Sequence, residues 1–127
     1  MKKILFFLII TTIITTACSK DSDNGTTSST IAPPTWIQGT WLNEETLQLT
    51  NNRLGFNFKS DDFCQITSVI ESCYKYYVDQ NTATISQTTS DTKYEITIKI
   101  AGSSYVYAFT KKSDTQIEHE GKIFTKQ

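Results

Sequence analysis

Hydrophobic and polar residues alternate along much of this chain, at the period of a β-strand. Tyr94-Glu95-Ile96-Thr97-Ile98-Lys99-Ile100 is the clearest stretch, with apolar even positions and polar odd ones. Such alternation puts one set of side chains on each face of a half-buried strand. Leu54-Gly55-Phe56-Asn57-Phe58 alternates as well, with three large apolar groups on one face. Gly102-Ser103 joins the Tyr94 strand to Tyr105-Val106-Tyr107-Ala108-Phe109, which predicts a hairpin. Gln116 to His119 and Lys122 to Thr125, around Glu120-Gly121, predict a last hairpin. Trp36 to Leu42 opens the series, and Leu47-Gln48-Leu49 also alternates. Tyr74 to Val78 and Thr82 to Thr88 read as further strands, and Phe63 to Ser72 as a short strand with an irregular loop. Turns are predicted at Asn51-Asn52, Ser60-Asp61-Asp62, Asp79-Gln80-Asn81, Ser90-Asp91 and Lys111 to Asp114. No segment has the period of a long helix. Eight to ten short strands with short connections predict an all-β antiparallel meander. It would close into a small barrel and so remove its edges, with a sandwich as the alternative.

One segment breaks the alternation. Ile4-Leu5-Phe6-Phe7-Leu8-Ile9-Ile10, followed by Thr11-Thr12 and Ile13-Ile14, is continuously apolar. It is about half of the ~20 residues that span a bilayer. Lys2 and Lys3 precede it, and the small residue Ala17 ends it. A basic start, a short apolar middle and a small residue before a break predict a cleaved export signal over residues 1–17. The β-branched Ile and Thr and the lack of a polar face argue against a core helix.

Cys18 follows directly. Thr15-Thr16-Ala17-Cys18 resembles the lipobox of bacterial lipoproteins, departing from it at Thr15, where an aliphatic residue is preferred. The resemblance implies that the Cys18 thiol receives a diacylglycerol, that the signal is cut before it, and that the new amine is acylated. Two or more chains hold a membrane stably where one binds marginally. Ser19-Lys20-Asp21-Ser22-Asp23 resembles the acidic export signal of Bacteroidota surface lipoproteins. That likeness implies the outer membrane and display at the cell surface, with a periplasm-facing anchor as the alternative.

Composition then sets limits. Without residues 1–17, which hold Lys2 and Lys3 and no acid, ten basic and 13 acidic side chains remain, a net of −3. This argues against a nucleic-acid partner, and against a membrane contact beyond the lipid itself. Residues 19–35 are rich in Ser, Thr, Asp, Asn and Gly and end in Ala32-Pro33-Pro34, so 18–35 is expected to be a lipidated, disordered tether. Residues 36–127 form the expected domain, with both Trp, all six Tyr and five of the seven Phe. Once Cys18 is lipidated, Cys64 and Cys73 are the remaining cysteines, in an oxidising compartment. A disulfide between them is expected, two separate thiols being the alternative. It would close a loop of about ten residues, for roughly 2.7 kcal/mol in the chain-entropy model.

Gly39-Thr40-Trp41, at the start of such a meander, resembles the Gly-x-Trp motif of lipocalin-like barrels. That likeness implies that Trp41 packs across the closed end of the barrel and that Gly39 lets the first strand bend. The domain is shorter than a full lipocalin. The layout, with Phe124-Thr125-Lys126 at the end, is similar to that of small lipocalin-like domains on Bacteroidota lipoproteins.

Motifs for chemistry are missing. There is no Gly-x-Ser-x-Gly, phosphate loop or zinc helix, so neither enzyme activity nor a metal or cofactor is expected. Glu118-His119-Glu120 is the best acid/base cluster, but on a strand His119 points away from both carboxylates, and a solvated edge is expected. Asp61-Asp62 and Glu44-Glu45 read as turn residues. Tyr74, Tyr76 and Tyr77 would either present an aromatic surface, for sugar or protein, or pack one face of the core. Two functions remain. One is a binding module for a small apolar ligand or an envelope component, with Phe56, Phe58, Tyr105, Tyr107 and Phe109 lining a hollow interior. The other is a protein-interaction lipoprotein, such as an enzyme inhibitor, with a rigid loop closed by Cys64 and Cys73.

Overall fold

Strands with one apolar face must bury that face, and here they bury it against each other. The computed structural model describes residues 26–28 and 30–127. The expected export signal, Cys18 and residues 19–25 lie outside the described residues. In chain order the elements are β1 (Thr26–Ser28), a 3₁₀ turn (Thr35–Ile37), β2 (Gly39–Leu42), α1 (Glu44–Thr50), β3 (Leu54–Phe58), β4 (Phe63–Thr67) and β5 (Ile70–Cys73). Then follow α2 (Lys75–Asp79), β6 (Ala83–Thr89), β7 (Lys93–Ile100), β8 (Ser103–Lys111), β9 (Gln116–His119) and β10 (Lys122–Lys126).

The strands make one antiparallel sheet in the order β1-β6-β7-β8-β9-β10-β2-β3-β4-β5. Two meanders, β2–β5 and β6–β10, are seamed where β10 pairs with β2, Thr125 opposite Leu42 and Lys126 opposite Trp41. The sheet curls into a half-barrel, and the expected all-β, barrel-like class holds. β1 and β5 are its edges. α2 leads from β5 to β6, packs on β6 and buries Val78.

The concave face is filled by rings. Phe109 meets Phe56 and Phe58 edge-on, at centroid distances of 4.9 and 5.0 Å, and Phe58 stacks on Phe63 at 5.2 Å. Trp41, Tyr94, Ile37, Ile85, Ile96, Ile98 and Ile117 are among the other fully buried side chains. Each such side chain contributes about 1.5–3 kcal/mol on burial. Gly39 has φ +124°, a conformation L side chains rarely adopt, and Trp41 is fully buried with its Nε1 donating to Ile37 O at 2.6 Å. Opposite Leu42, a Cβ on Gly55 would collide with the carbonyl oxygen of Trp41.

Several local expectations are corrected. Leu47-Gln48-Leu49 lies on α1, not on a strand. Asn43 caps that helix by accepting from Thr46 N at 2.8 Å, Glu44 and Glu45 sit in its first turn, and Asn51 ends it in the left-handed region. Tyr74 to Val78 is no strand either: Lys75–Asp79 is helical, and Asp62 Oδ1 accepts from Lys75 N at 2.8 Å. That makes Asp62 a buried anchor and not only a turn residue. Phe63 to Ser72 forms a hairpin in place of a strand and loop, with Cys64 directly opposite Cys73 and disulfide-bonded to it.

Part of the tether expected over 18–35 is ordered, while residues 18–25 and 29 lie outside the described residues. β1 pairs with β6, and Ile31 is buried in the core. The Gln87 side chain clasps this segment, donating to Thr30 O at 2.9 Å and accepting from Ala32 N at 3.2 Å.

Strand directions sort the connections onto two ends. Thr26 lies opposite Gln87 and Ser28 opposite Ile85, so the chain before Thr26 leaves towards the β6–β7 turn at Ser90–Thr92. The β7–β8 turn, Ala101-Gly102, and the start of β6 lie at the opposite end, since Ala83 faces Ile100. By successive antiparallel pairings, the β9–β10 and β4–β5 turns lie at that opposite end too.

Gly55→Ala is expected to destabilise the fold by about 2–4 kcal/mol, because the backbone of Trp41 must move. A fall in the urea midpoint checks it, and an unchanged midpoint contradicts it. Replacing Cys64 and Cys73 together by Ala should cost about 2–3 kcal/mol in the same assay.

Candidate functional site

The residues expected to line a hollow interior divide into two groups. Phe56, Phe58 and Phe109 are buried among the core rings. Tyr107 is half-buried and Tyr105 is 45% exposed. Along the inner face of β8, burial therefore fades from Phe109 towards the β7–β8 turn.

A groove of about 480 Å³, open to solvent, lies at that end, lined by Tyr76, Tyr77, Gln80, Thr82, Ile100 and Ala101. α2 supplies the two tyrosines, exposed and edge-to-face at 5.5 Å between centroids. The chain then reverses through Asn81 in the left-handed region, and Thr82 returns both its N–H and its hydroxyl to Tyr77 O. That fold-back fixes Gln80 and Thr82 beside Tyr77. Ile100 ends β7 and Ala101 opens the β7–β8 turn. Ala101 has φ +51°, the first position of a two-residue turn where Asn or Gly is favoured. None of the lining side chains is a carboxylate or an ammonium group.

Beside the groove sits a phenol cluster. Tyr74 stacks on Phe63 with a 5.7 Å centroid distance, and its hydroxyl is 3.0 Å from that of Tyr107. The Gln65 amide donates to both hydroxyls. Burial pushes the Tyr74 phenol above the usual tyrosine range, and the hydrogen bond with Tyr107 and the nearby Tyr105 and Tyr77 phenols add to it. Of the three tyrosines around α2, Tyr74 thus belongs to the packed face, while Tyr76 and Tyr77 are presented outward.

His119 is not on a solvated edge. Its ring is buried, stacks on Phe109 at 4.8 Å and donates from Nδ1 to Ala108 O at 2.8 Å. Glu118 points the other way and pairs with Lys112 at 2.8 Å. These groups form no acid/base pair. Asp62, Cys64 and Cys73 bring donor atoms together. The two sulfurs are bonded to each other, however, and Asp62 Oδ1 already accepts from Phe63 N and Lys75 N, so the cluster does not fit a metal.

A second surface is the tip of the disulfide-bonded hairpin. Val69 is 91% exposed and Ile70 63%. Ser68, in the left-handed region, donates its N–H to Arg53 O at 2.6 Å and holds the tip against the end of α1.

No protein-family model matches the chain, and no characterised protein or solved structure matches it. Gln80, Thr82, Ile100 and Ala101 went unrecognised as site residues in the sequence. Three separate elements bring them together, and the one local signal was the Tyr76-Tyr77 pair just before a turn.

Tyr94 is also held above the usual phenol range, by burial. With native values raised, the folded state keeps protons that the unfolded chain releases above about pH 10, so stability falls as pH rises past that point. Phenolate absorbance, compared with that of Tyr74→Phe and Tyr94→Phe, should show these two phenols ionising only on unfolding. Ionisation of either one below the unfolding transition would contradict this.

Proposed function

We propose that this chain is an outer-membrane lipoprotein, anchored through Cys18 and displayed at the cell surface. Its half-barrel acts as a non-enzymatic binding module for a small, uncharged, partly apolar ligand or envelope component. The ligand is taken in the groove at the rim and not in the interior. The groove carries this reading: two exposed phenol rings, an amide and a hydroxyl converge on an apolar floor. Its volume lies within the range of about 300–1,000 Å³ typical of ligand sites. The lipocalin-like resemblance is consistent with such a role. Anchoring is supported by the basic start, the apolar run, and Ala17-Cys18 followed by the acidic stretch.

One observation favours a second reading as a protein-interaction lipoprotein. The Cys64–Cys73 hairpin is the stiff projecting loop that an inhibitor needs, and it presents bare Val69 and Ile70 at its tip.

Growth of the expressing cells with a radiolabelled fatty acid should label the full-length protein, and Cys18→Ala should abolish the label. An unlabelled parent chain removes the anchor. Nile red, a neutral apolar dye, should gain fluorescence with the purified full-length protein. Tyr76→Ala/Tyr77→Ala should bind it roughly tenfold more weakly, while Val69→Ser/Ile70→Ser should not change it. Equal binding by the tyrosine variant would move the site away from the groove.

A further inference from the structure

We infer that the groove is a site for a neutral saccharide arriving from the aqueous side, and not for a lipid drawn from the bilayer. This rests on the groove being a binding site and on Cys18 being the anchor.

The first argument is position. Seven residues separate Cys18 from β1, about 25 Å at full extension. They join β1 at the end facing the β6–β7 turn. The groove lies at the other end, beside the β7–β8 turn. The eight residues of β7 span roughly 27 Å between the two ends. With the lead joined at the end facing the β6–β7 turn, Ser90–Thr92 is the end nearer the anchor and the groove the end farther from it. An acyl chain leaving the membrane meets the wrong end of the sheet.

The second argument is chemistry. With no ionised side chain in the lining, nothing there complements a phosphate, a carboxylate or a cation. Yet the groove is not simply greasy. The Tyr76 and Tyr77 hydroxyls and the Gln80 amide have no hydrogen-bond partner among the described residues, and they stand around the apolar floor of Ile100 and Ala101. A phenol ring is an apolar face with a polar tip, and an amide offers two donors and an acceptor. A pyranose has the matching form: one face of C–H groups and a rim of hydroxyls that both donate and accept. An acyl chain would cover the same polar groups without satisfying them, at a cost for each.

The test uses the full-length acylated protein, ¹⁵N-labelled, in lipid nanodiscs. It is titrated separately with maltotriose, cellotriose and palmitate at millimolar concentration. At least one trisaccharide should shift the Tyr76, Tyr77, Gln80 and Ala101 amides saturably. Tyr76→Ala/Tyr77→Ala and Gln80→Ala should each weaken that binding about tenfold or more. These side chains are exposed, and an unchanged spectrum elsewhere shows that the variants fold. A paramagnetic lipid headgroup should broaden Ser90–Thr92 and leave Ala101 sharp. Shifts at these amides with palmitate but with neither sugar overturn the saccharide and leave the groove as a ligand site. Shifts with none of the three overturn both readings. Broadening of Ala101 equal to that of Ser90–Thr92 overturns the aqueous approach.

Discussion

A sheet with one apolar face and no second layer must fold over that face itself, and this constraint organises the whole domain. No long helix lies across the strands among the described residues. Two meanders therefore curl towards each other, and the β10–β2 seam makes them one surface. Rings close the space between them. Phe56 touches Phe109, Phe124, Phe63 and His119 within about 6 Å, so a single side chain from β3 reaches β4, β8, β9 and β10. With so large a share of its apolar volume in aromatics, the small domain packs ring against ring at that level, and an open groove lies at its rim.

The alternating strands were the legible part of the fold. β7 and β8 could be read directly, because even and odd positions fall on opposite faces and the turn between them contains glycine. The cysteine pair was legible for a similar reason: cysteines have few alternative uses. α1 was misread although its signals were present. Asn43, Glu44-Glu45 and Asn51 mark a cap, a first turn and a left-handed stop, but Leu47 and Leu49 alternate over a window too short to separate the two periods. α2 is a tertiary effect. Its aromatic, β-branched composition favours a strand, and the Asp62 carboxylate, holding Lys75 N from another turn, helps set a helix there.

The site was half legible. The tyrosines around α2 were read as either an outward surface or one packed face, and the structure divides them, Tyr74 packed and Tyr76 and Tyr77 outward. Phe56, Phe58 and Phe109 were given to a ligand because large apolar residues suit either a cavity wall or a packed core, and alternation does not tell the two apart. What separates them is how many rings converge, which depends on the curl of the whole sheet. The groove's polar members come from a helix, a tight reversal and a distant turn, so no local spacing announces them.

The Gln87 clasp has a practical consequence for anyone cutting this protein. A fragment started at Trp36, where the composition changes, would lack β1 and Ile31. It would leave the β6 edge from Ile85 to Gln87 without its neighbour and open a gap beside Val78. Bare edges of that kind recruit strands from other molecules. An expression boundary set before Thr26 keeps the clasp closed and so guards the preparation against clumping.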